Sequence, residues 1–137
     1  MRTYTLRGRI PAQTTRRLIV DDGRYTHGMI VKEFYVWAKS QASSDDPECI
    51  LTKESTTLNS MDAGDSNQIA WAGITTTNGT RLMTFGVVDP DHVITQDLFI
   101  RNIADLEDAN YLVVLEPIVL TPDQGVLQLI KEVNQNV

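Results

Sequence analysis

Cysteine is almost absent: Cys49 stands alone among 137 residues. No disulfide can form within the chain, so the fold has to rest on apolar burial. A chain of this length buries roughly two thirds of its unfolded surface without a covalent staple. The lone thiol also leans towards a reducing compartment. Histidine is nearly as scarce, with only His27 and His92, and no Cys or His pair stands at zinc-ligand spacing. No apolar run reaches 18 residues, which removes a membrane-spanning helix. Residues 1–10 alternate polar with apolar and do not form the continuous apolar stretch of a signal peptide. A product of the cytoplasm with no membrane partner is therefore expected. Phosphate-binding glycine loops, the dinucleotide fingerprint and the Gly-x-Ser-x-Gly elbow are missing as well, so nucleotide chemistry and the commonest hydrolase mechanisms are not expected. Repeats, low-complexity tracts and linkers are also lacking, which leaves one domain over residues 1–137.

Charge is present but unevenly laid out. Arg2, Arg7, Arg9, Arg16 and Arg17 fall within residues 1–20 with no acid among them, while the whole chain carries a net charge of −6. A basic leading segment (1–20) on an acidic body suits self-complementary association, one copy's start lying on another's body. A nucleic-acid contact is the lesser reading, since Tyr4 among Arg2, Arg7 and Arg9 is the one basic cluster with an aromatic in it. Arginines on the solvent face of a strand would need no partner at all.

The apolar pattern is mostly of period two. Tyr4 to Ile10 puts Tyr4, Leu6 and Ile10 on one side and Thr5, Arg7 and Arg9 on the other, with Gly8 on the apolar side marking a bulge or a close backbone approach. A short strand is expected at Arg17–Val20 before the turn Asp21-Asp22-Gly23. Met29 to Ala38 is apolar on both faces over its second half, as in a central strand covered on both sides, and is the best core segment. Further strands are expected at Cys49–Glu54, Gln68–Ala72, Leu82–Val88, His92–Ile100, Tyr111–Leu115 and Ile118–Leu120. The polar loop 39–48, the turn-rich stretch 58–67 and the hairpin signal Asn78-Gly79 separate them. Pro117 is expected to bend or bulge the chain.

The last segment changes period. Thr121 stands at an N-cap, Pro122 at the first helical position and Gln124 three residues after the cap. Val126, Leu127, Leu129, Ile130 and Val133 then make one apolar stripe. A C-terminal α-helix over 122–133 follows, too short to stand alone and so docked on its own sheet or on a neighbour. The fold class is mainly β: an antiparallel β-sandwich of about eight strands with that one helix.

Candidates for chemistry are few. Asp89, Asp91 and His92 could form a metal site or a general base with its orienter, but consecutive turn residues seldom converge, and carboxylates capping local amides is the stronger reading. Cys49 reads as a small buried hydrophobe before it reads as a nucleophile. Asp62-Ala63-Gly64-Asp65-Ser66-Asn67 resembles a calcium loop but lacks the rest of that frame and its distal glutamate. Tyr35, Trp37 and Trp71 are expected in the core; exposed, they would make an aromatic platform for a glycan or small molecule. No catalytic, cofactor or metal residue is assigned, and no enzyme activity is expected.

Three passages carry a resemblance: Arg-Gly-Arg-Ile-Pro-Ala-Gln (7–13), Asp-Pro-Asp-His-Val (89–93), and the strand and helix from Asn110 to Val137. With these the chain resembles small bacteriophage virion structural proteins, including capsid, cement and decoration subunits. The resemblance implies a β-sandwich, the jelly roll among its forms, acting in many copies within a virion assembled from protein made in the host cytoplasm. The expected partners are copies of itself or other virion proteins, met through Arg2, Arg7, Arg9, Arg16 and Arg17.

Overall fold

The alternating segments become strands. In the computed structural model, which describes residues 3–20, 27–39, 46–77, 80–95 and 97–119, nine strands follow in chain order. They are β1 (Tyr4–Ile10), β2 (Thr14–Leu18), β3 (His27–Ala38), β4 (Glu48–Thr52), β5 (Gln68–Thr77), β6 (Thr80–Val88), β7 (Val93–Ile94), β8 (Leu98–Asn102) and β9 (Ala109–Val119). Two sheets result, ordered β1-β9-β3-β7 and β2-β8-β4-β5-β6, and every pairing is antiparallel. The described residues contain no helix. The helix expected over 122–133, the turn at 21–23 and Arg2 lie outside them.

One shared core joins the sheets. Val31, Phe34 and Val36 of β3, with Ala109, Tyr111, Val113 and Leu115 of β9, face Cys49, Leu51, Ala70, Ala72, Leu98 and Ile100 of the second sheet. Full burial of a Leu, Ile or Phe side chain stabilises by roughly 1.5–3 kcal/mol, so this layer carries the fold. Gly8 provides a close approach and not a bulge: a Cβ there would lie 2.8 Å from the Tyr111 hydroxyl, and the β1–β9 register runs unbroken past it.

The structure corrects four expectations. The strand expected at Arg17–Val20 runs from Thr14 to Leu18, paired through its length with β8, and Ile19 lies exposed beyond it. The strand expected at His92–Ile100 is two strands, β7 in the first sheet and β8 in the second, because the chain crosses the sandwich between Ile94 and Leu98. Pro117 does not interrupt β9. It pairs with Met29 on β3, beyond the last β1 partner at Leu115, where β9 has a neighbour on one side only and a missing N–H is tolerated. Met29–Ala38 is central in its sheet, yet Tyr35 and Trp37 are 46% and 45% exposed. The irregularity between Val31 and Glu33 sets the parity that turns Phe34 and Val36 inward and those two rings outward.

Candidate functional site

Four of the arginines named from the sequence, Arg7, Arg9, Arg16 and Arg17, fall along one side of the sandwich. β1 and β2 are edge strands of the two sheets, and Arg16 Nη1 donates to the Arg9 carbonyl at 2.8 Å, tying one edge to the other. Arg7, Arg9, Arg16 and Arg17 are all exposed. Arg17 pairs with Asp97 at 2.5 Å, whereas Arg9 stands 3.8 Å from Asp108. Ion pairs this open contribute about 0–1 kcal/mol, so most of the charge remains available to a partner.

Register joins this side to the outer face of the first sheet. Arg7 lies opposite Leu112, which lies opposite Tyr35; Arg9 lies opposite Asn110, which lies opposite Trp37. These residues alternate with the inward core positions, so two rows of arginine, centre residue and exposed ring run side by side. Lys39 reaches Asp108 at 3.9 Å and Lys32 reaches Glu116 at 3.5 Å, leaving the face mixed in sign. A hydrogen bond to the Glu33 side chain raises the Tyr35 phenol above its ordinary value. The sequence reading took both rings as core. The signal that would have placed them outside is the alternation counted from Phe34, with Val36 between them.

The other candidates are occupied structurally. Asp89 Oδ1 accepts from the Asp91 amide at 3.1 Å, and the Asp89 carbonyl accepts from the His92 amide at 3.5 Å, a turn capped by its own carboxylate. Asp62 Oδ1 accepts from the Gly64 amide at 2.8 Å and Asp65 Oδ1 from the Asn67 amide at 3.0 Å. The carboxylates of that loop therefore hold its own backbone. Among the described residues no group of three His, Cys, Asp or Glu gathers at metal-binding distance. Cys49 is buried, and burial, with the Glu48 charge second, pushes its thiol far above the ordinary range. Trp71 is half-buried on the second sheet, its indole N–H bonded to Gln68 Oε1 at 2.8 Å, so it does not join Tyr35 and Trp37.

Compared with known proteins, the sequence matches no family model and no curated protein.

Proposed function

We propose that the protein is a non-enzymatic structural subunit of a virus particle, packing against copies of itself or against other virion proteins through its β1–β2 side. The strand order carries this reading. With β6 set aside as an added hairpin strand, the order β1-β9-β3-β7 facing β2-β8-β4-β5 supports a double Greek-key, jelly-roll reading of the sandwich, an architecture used by viral capsid and lectin domains. The chain changes sheet at every connection except β4–β5 and β5–β6, as that wrap requires. This is an argument from fold to function by analogy, joined by the basic side and by the likeness to phage virion proteins. The sequence pattern over 122–133 favours this reading, since a capped amphipathic helix would suit docking on the same or a neighbouring subunit.

Light scattering of the purified protein at low and high salt tests the assembly reading. A large oligomer that shrinks as salt rises is expected, because exposed charge is screened within about 10 Å at 0.1 M. The variant carrying Arg7→Gln, Arg9→Gln, Arg16→Gln and Arg17→Gln should assemble less and keep the wild-type melting temperature. A monomer at both salts, or a variant that unfolds, would remove the reading.

One observation favours a second reading, a binding module for a glycan. Tyr35 and Trp37 are exposed on one face, two residues apart, with Arg7, Arg9 and Asn110 in the same rows as hydrogen-bonding groups. Titration with soluble oligosaccharides should then quench tryptophan emission in the wild type and leave Trp37→Ala unchanged. Identical traces for the two proteins would end it.

A further inference from the structure

Arg101 is a charge buried without a counter-charge among the described residues. Its side chain points away from the core on β8, in register with Thr15 on one side and Ile50 on the other, and the residue is 5% exposed. Its acceptors are all neutral: Nη2 donates to Asn59 Oδ1 at 2.8 Å and to Gln13 Oε1 at 3.1 Å, and Nη1 donates to Thr15 Oγ at 3.3 Å. Nε is buried with no partner, and no carboxylate among the described residues pairs with this guanidinium. A desolvated cation of this kind is costly unless paired.

The cover over it is thin. Asn59 belongs to the 53–67 connection that lies across the outer face of the second sheet, fastened where Thr15 Oγ donates to the Thr56 carbonyl at 2.5 Å. Asn59 and Gln13 are both exposed, so two of the groups bonded to the guanidinium belong to residues open to water. Gln13 is held in an unusual state: its φ is 56°, the one positive value outside glycine among the described residues. Its Nε2 is fixed by the Ile103 and Ala104 carbonyls at 2.9 and 3.1 Å. That anchorage turns Oε1 towards Arg101 and Asn59, whose Nδ2 donates to it at 2.9 Å. Non-glycine residues take such a φ at a cost, and such positions gather at ligand sites.

We infer that the Arg101 guanidinium, under Gln13 and Asn59, is a binding site for an oxyanion, a carboxylate or a phosphate, that displaces the two amide oxygens. Nε–H and Nη2–H share one edge of the planar fork, the edge that takes a carboxylate or phosphate side-on through two parallel bonds. Nη2 now meets two neutral amide oxygens, which bring no charge. An oxyanion there would meet the idle Nε and neutralise the cation. The inference is independent of the assembly reading and of the aromatic face, which lies on the other sheet.

Thermal unfolding tests it in sodium chloride, inorganic phosphate and sodium acetate at matched ionic strength. The wild type should melt roughly 3–6 °C higher at saturating anion than in chloride, since a ligand of the folded state stabilises by mass action. A rise in phosphate alone identifies phosphate, and a rise in acetate as well identifies the carboxylate group. Arg101→Met removes the charge at similar length and should lose the anion-specific rise. Asn59→Asp brings a carboxylate to the guanidinium from the protein itself. It should melt higher than wild type in chloride and no longer respond to phosphate. Phosphate also strengthens folding by general exclusion, so equal rises in wild type, Arg101→Met and Asn59→Asp would overturn the site, as would no rise in the wild type in either anion.

Discussion

At Gly8 the absence of a side chain is a packing requirement. A Cβ there meets the Tyr111 hydroxyl at 2.8 Å and its ring carbon at 3.1 Å, and Tyr111 is itself core. Gly8→Ala should destabilise by about 1–3 kcal/mol. Tyr111→Phe removes the nearer atom, so the double variant should lose less than the two single losses added together in urea denaturation; strict additivity would count against the contact. Cys49 makes a second prediction. Burial keeps its thiol protonated in the folded state, while in the unfolded chain it ionises at about 8.5. Its contribution is therefore complete below that pH and declines as pH rises above it. The stability gap between wild type and Cys49→Ala should narrow between about pH 8 and pH 10, and a gap that stays constant would contradict the burial argument.

Among the elements, β6 and β3 approach closely where the two sheets meet. A Cβ on Gly86 would strike the Phe34 carbonyl oxygen, and because that obstacle is backbone, little can yield. Gly86→Ala should therefore lower the urea midpoint by more than Gly8→Ala, whose obstacle is a side chain. Most strands were legible because alternation such as that of Tyr4–Ile10 is the direct imprint of one face turned to the core. Sheet membership was not. His92–Ile100 alternates straight through the crossover, so nothing local marks where β7 ends and β8 begins. The parity of β3 was hidden for a related reason: with Phe34 and Tyr35 adjacent and both aromatic, only the partner strand decides which faces inward. The arginine side was legible as composition, but its union with Tyr35 and Trp37 depends on β9 lying between β1 and β3. Arg101 gave no sign at all, since one arginine in Leu-Phe-Ile-Arg-Asn reads as an ordinary solvent-facing residue until the 53–67 connection covers it.

Across the whole molecule, the strands flanking β9 both come from the start of the chain. β1 covers one edge of β9 from Ala109 to Leu115. Deleting residues 1–10 would uncover the apolar run Tyr-Leu-Val-Val-Leu as a sheet edge, a template for pairing with other chains. That truncation should aggregate at concentrations where the full chain stays dispersed, measured by turbidity; a truncated protein that remains clear would show that β1 is dispensable. A salt-sensitive assembly, by contrast, should depend on the β1–β2 arginines with the strands left in place.

The order of the strands also has a consequence for synthesis. β9 fills the gap between β1 and β3, and β8 fills the gap between β2 and β4, so each sheet keeps a missing rung until the late strands have left the ribosome. Before that, β1, β2 and β3 are translated ahead of every strand they pair with, and β4 can pair only with β5. Closure of each sheet consequently waits for β8 and β9. On the proposed reading, the β1–β2 side would meet other copies only on a closed sandwich.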